Sequence, residues 1–131
     1  MTTGARAHRH RRRRGEGGAV TAELALTLPM LVAVTIGLVW LLSVGAAQVR
    51  VVDAARETAR AVARGASAAE AGSRGQQVAP PGSTVTVSTQ DGRVVAVASG
   101  QVRGPGGLFG FLPGVEVRAE AVTLDEDEVG R

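Results

Sequence analysis

One carboxylate stands apart from the other ionisable groups of this sequence. Glu23 directly precedes LALTLPMLVAVTIGLVWLLSVGAAQV, Leu24 to Val49, a run without a charge that closes at Arg50. A carboxylate at the mouth of a membrane helix is expensive to keep, so its presence points to a purpose. The bland account is that Glu23 caps the helix N-terminus, where the dipole favours an anion. The remaining reactive side chains form no catalytic grouping. His8 and His10 lie in an arginine tract with no third ligand nearby, so a metal site is not expected. There is no cysteine, which excludes disulfides and thiol chemistry. The carboxylates after Arg50 have no partner His or Lys and read as solvated charges. The glycines at 104–107 precede no Lys-Ser/Thr and make no phosphate loop. The expectation is therefore no enzyme, no cofactor and no metal.

The element that must position Glu23 is the apolar run itself. As a helix it spans roughly 39 Å, enough to cross a hydrocarbon core of about 30 Å. Before it stand Arg6, Arg9, Arg11, Arg12, Arg13 and Arg14, while Asp125, Glu126, Asp127 and Glu128 gather at the other end. By the positive-inside rule the N-terminus stays cytoplasmic and the chain after Arg50 lies outside. The expected location is the cytoplasmic (inner) membrane, crossed once. Residues 1–18 lack apolar periodicity and read as a disordered basic leader. Arginine runs also attract nucleic acid, but no aromatic interleaves here and a span follows at once, so anionic lipid is the favoured partner.

A chain of 131 residues leaves room for one small domain beyond the span. With two Phe, one Trp and no Tyr, its core must be built from alanine and valine. Residues 50–71 place Val52, Ala55, Ala59, Val62 and Ala66 at spacings of three and four, one apolar helical stripe. Asp53–Arg56 and Glu57–Arg60 are i,i+3 pairs of opposite sign. Gly72 is the expected stop, and the linker that follows closes at Pro80-Pro81-Gly82. Strands are predicted at 83–89, 94–99 and 115–124. Asp91-Gly92 marks a hairpin. A three-residue loop, Gln90 to Gly92, pairs Val87 with Val95 and Val85 with Val97 and gathers four valines on one face, so it is preferred to the two-residue loop. The glycine-rich stretch 104–114 carries Leu108, Phe109, Phe111 and Leu112, which either tuck under the sheet or meet a partner.

The predicted fold class is α+β: a long N-terminal transmembrane helix extended into a soluble amphipathic helix, then a small three-stranded antiparallel sheet. The expected organisation is a basic cytoplasmic leader 1–18, transmembrane helix 19–49, its extracytoplasmic continuation 50–72, linker 73–82, β domain 83–124 and acidic tail 125–131.

The junction GEGGAVTAEL, Gly15 to Leu24, resembles a type IV pilin-like leader. Such leaders are short and basic, end in glycine, and are cut by a membrane-embedded prepilin peptidase. The mature chain then carries a glutamate at its fifth position, followed by a long hydrophobic helix. The resemblance implies cleavage between Gly18 and Ala19, which makes Glu23 that fifth residue. It also implies partners: the peptidase, other pilin-like subunits and the pilus assembly platform. In a bundle of such helices, a buried Glu23 would need a cation, and the freed Ala19 ammonium of a neighbour supplies one.

The continuation is similar to the TadE-like minor pilins, or pseudopilins, of the Tad/Flp system, through RGEGGAVTAELALTLPMLVAV and into AAQVRVVDAARETARAVARG, roughly residues 14–65. Many pilins begin the mature chain with Phe where this one has Ala19. Major Flp pilins commonly carry an aromatic after the glutamate, where this chain has Leu24. They are also shorter and lack a sheet domain. These departures favour an assembly-type minor subunit. Two rivals stay open. One is a single-pass anchor with a small extracytoplasmic interaction domain, unrelated to pili. The other is a secreted protein cut near Gly45-Ala46-Ala47, although the apolar run far exceeds a signal-peptide core of about 7–15 residues.

Overall fold

The computed structural model describes the backbone of residues 7–124, and the side chains of residues 17–124 except Leu108. Residues 1–6 of the basic leader and the acidic segment 125–131 lie outside the described residues. The order is helix α1 (Ala7–Ala63), helix α2 (Ala68–Val78), strands β1 (Thr84–Gln90) and β2 (Arg93–Val102), a 3₁₀ turn at Gly107–Phe109, and strand β3 (Val115–Leu124). The strands form one antiparallel sheet in the order β1-β2-β3. The α+β expectation holds. Contacts divide the chain into two compact units, Met1–Leu38 and Val39–Arg131, and α1 contributes to both.

In the first unit α1 is a single exposed helix. Leu24, Leu26, Leu28, Met30, Leu31, Val32 and Val34 are all exposed. The hydroxyls of this stretch do not go unpaired. Thr21 Oγ1 donates to the Gly17 carbonyl, Thr27 to that of Glu23 and Thr35 to that of Leu31. Such back-bonding lets a polar side chain sit in an apolar environment with its donor satisfied. Where disorder was expected in the leader, the helix already runs from Ala7. Arginine and alanine are good helix formers, and each residue added to a nucleated helix gains a hydrogen bond.

In the second unit the C-terminal part of α1 lies on one face of the sheet. The core comprises Ala47, Val51, Ala54 and Ala55 of α1 with Ala98 and Val117, flanked by Val44, Val85, Val102, Ala119 and Ala121. Two ties between side chain and backbone fix the alignment. Trp40 Nε1 donates to the Arg103 carbonyl at 2.9 Å, and Gln48 Nε2 donates to the Arg118 carbonyl at 3.0 Å. The apolar run Leu24–Val49 is therefore shared: within it Trp40, Val44, Ala47 and Gln48 already meet the sheet domain, while Leu41, Leu42 and Val49 stay exposed. Alanine explains the depth of contact, because a side chain of one methyl lets helix and sheet approach closely.

The apolar stripe is displaced from its predicted line. Ala55 and Ala59 are buried as expected, but the centre runs through Val51, Ala54, Thr58 and Ala61, all fully buried. Thr58 hides in this line because its Oγ1 donates to the Ala54 carbonyl at 2.8 Å. Among the described residues Asp53 and Arg56 form no ion pair. The expected Glu57–Arg60 pair is present at 3.9 Å, and Glu57 also takes Arg64 at 3.1 Å; such surface pairs are worth little.

The helix does not continue to Gly72. It ends at Ala63, Gly65 turns the chain with φ +86, and Ser67 starts α2 through a capping box with Glu70. Most of the expected linker 73–82 is thus helical. Gly75 faces Thr58 at the buried side of α2, where a β-carbon would collide with Thr58 Oγ1.

The hairpin also departs from expectation. Gln90 pairs with Arg93 across a two-residue Asp91-Gly92 loop, so Val87 faces Ala96 and Val85 faces Ala98. Both loop residues have positive φ, 51° and 68°, the signature of a type I′ turn. The four-valine argument failed because the core-facing set is Val94, Ala96 and Ala98, matched to Ala119 and Ala121 across β3. Valines 95 and 97 fall on the opposite, half-exposed face. A helix needs small residues beneath it, so alanine outranks valine there.

Candidate processing and assembly site

Gly17, Gly18, Ala19 and Glu23 all lie in the helical, exposed part of α1. A β-carbon at Gly17 or Gly18 would meet nothing within 4 Å, so no packing demand among the described residues explains the two glycines. Their physical consequence is local: each glycine weakens a helix interior by about 1 kcal/mol relative to alanine. The Gly18–Ala19 bond is helical, so a protease cutting there would first have to unwind the turn around it. The glycines lower that cost. Thr21 Oγ1 donates to the Gly17 carbonyl at 2.9 Å, so one side-chain bond bridges the Gly18–Ala19 link. Breaking the link would release it.

Glu23 lies four residues after Ala19, hence on the same helical face and one turn away. Its backbone carbonyl accepts from Thr27 Oγ1 at 2.7 Å. Its carboxylate is exposed and has no ion-pair partner among the described residues. An ammonium created at Ala19 would therefore find its own Glu23 within a turn. A neighbour's Glu23 becomes the better partner only where bundled helices exclude water and strengthen the charge interaction.

The rest of the described surface offers little chemistry. No cluster of three metal-binding side chains occurs among the described residues. A shallow depression on the outer sheet face is lined by Gln90, Asp91, Arg93, Val95, Glu120 and Val122, opposite charges side by side. Ser83 Oγ is buried without a hydrogen-bond partner, wedged against Gly100, while the Ser83 carbonyl accepts from Gln76 Nε2 at 2.7 Å. Sequence reasoning missed Thr58, Gly75, Ser83 and Gly100. All four make close approaches between successive elements, which no pattern within one element reveals.

Residues 18–60 match the family model described as TadE-like protein. The match opens on Gly18, includes Glu23, and covers about a third of the chain, all of it within α1. The likeness read from the sequence is borne out over that segment. No curated protein and no solved structure matches the chain.

Proposed function

We propose that this chain, TadE-like over residues 18–60, is a minor pilin-like subunit that acts in the biogenesis of a Tad/Flp type IV pilus. The observation that carries the reading is the coincidence on one helix of a basic leader, the Gly18–Ala19 junction, Glu23 and a long exposed apolar face. The family match over residues 18–60 supports an association with the Tad pilus.

The arginine tract holds the leader at the cytoplasmic surface, and α1 anchors the chain once in the membrane. A prepilin peptidase hydrolyses the Gly18–Ala19 amide. Water is added, Gly18 leaves as a carboxylate on the leader, and Ala19 keeps an ammonium. That ammonium pairs with Glu23 of an adjoining pilin-like subunit and sets the stagger between helices. The apolar face of α1 packs against other subunits and the assembly platform, and the β domain stays outside as the contact module. The chain is a substrate and a building block, not a catalyst.

Replacing Glu23 with Ala tests the pairing step. Membrane insertion and leader removal should persist while incorporation into sheared pili falls. Unchanged incorporation would remove the role given to Glu23.

A further inference from the structure

We propose that the loop between β2 and β3 is a second membrane contact, with Phe111 seated in the lipid headgroup region beside Trp40. The inference rests on the reading of α1 as a membrane anchor.

The alignment of helix and sheet sets the level of this loop. Trp40 meets the Arg103 carbonyl, and Gln48 meets the Arg118 carbonyl. Arg118 pairs with Ser99 of β2, four residues before Arg103. Eight helical residues rise about 12 Å and four strand residues about 13 Å. Helix and strand thus run side by side, with the loop at the Trp40 level and the Asp91-Gly92 hairpin at the opposite end.

Trp40 is also where the bilayer boundary falls. From Ala19 to Val39 a helix rises about 31 Å, the thickness of a hydrocarbon core. From Val44 onward α1 is engaged by the sheet. Tryptophan at such a boundary is the ordinary interfacial anchor.

The loop has the composition that an interface accepts. GPGGLFGFLPG, Gly104 to Gly114, contains no charge, and Arg103 precedes it. It is internally braced. The Phe109 amide donates to the Gly106 carbonyl, that of Gly110 to Gly107, and that of Leu112 to Phe109. Three tip amides are thus paired within the loop. Phe109 and Leu112 are half-buried, whereas Phe111 is 77% exposed. A large aromatic held outward on a braced, uncharged loop, level with an interfacial tryptophan, fits a lipid surface.

The chain has no cysteine, so single nitroxide labels can be placed without background. Full-length Phe111→Cys, Gln90→Cys and Leu31→Cys proteins would be reconstituted in phosphatidylcholine–phosphatidylglycerol vesicles. Collision with oxygen, which concentrates in lipid, would be compared with collision with a water-soluble nickel chelate. The proposal expects oxygen to dominate at 111 and 31, and the chelate to dominate at 90. Chelate dominance at 111 with oxygen dominance at 31 overturns the loop contact and leaves the anchor standing. A label at 111 shielded from both reagents means protein covers it, which also overturns the assignment. Chelate dominance at 31 removes the anchor and the proposal together.

Discussion

Glu23 and Gly18 carry the functional argument through different physics. In the proposed function Glu23 acts through its charge in a place where charge is costly, and Gly18 through having no side chain. Gly18→Leu restores helical stability and adds bulk beside the expected cut. It should leave insertion intact and abolish leader removal, read as a mass shift of the mature protein; normal trimming would show that the bond lies elsewhere. At the Thr58–Gly75 contact, a residue far from the junction controls packing. An added methyl at Gly75 meets Thr58 Oγ1, with the Ala54 carbonyl and Val85 Cγ1 each 3.1 Å away. Overpacking of that kind exceeds the gain in helix propensity, so Gly75→Ala should destabilise the domain by about 1–2 kcal/mol in detergent-solubilised full chain. In a Thr58→Ala background the same change should lose less. Equal losses in both backgrounds would show that the two residues are not coupled.

Elements were legible where a local pattern specifies them. The long apolar helix, the presence of three strands and the α+β class follow from apolar run length and period-two alternation, and Glu23 stands out as a candidate by its contrast with the uncharged run beside it. What was missed depends on tertiary neighbours or on a competing local signal. The break between α1 and α2 is written in Gly65 and in Ser67-x-x-Glu70, but an alanine-rich stripe running through both looked continuous. Ser67→Ala tests the break. The cap hydroxyl accepts from the Glu70 amide, so its loss should cost about 1 kcal/mol and lower the thermal midpoint. An unchanged midpoint would mean that packing alone holds α2. The hairpin register failed for a different reason. Counting valines assumed that the largest side chains belong in the core, whereas a helix lying on the sheet selects the alanines.

At the scale of the whole molecule, one helix does two jobs in sequence. Its first part offers bare apolar side chains, with the hydroxyls of Thr21, Thr27 and Thr35 turned back on the backbone. Its second part is the spine of a domain whose core is alanine and valine. The family match covers residues 18–60 of this helix, and the sheet lies outside the matched residues. The central claim is that the leader is removed at one bond to release a pilin-like helix. The most direct test is the N-terminal sequence of the protein isolated from membranes, with the prepilin peptidase present and absent. The account predicts a chain beginning at Ala19 only when the peptidase is present. A chain still beginning at Met1 with the peptidase present, or one beginning near Ala47, would contradict it.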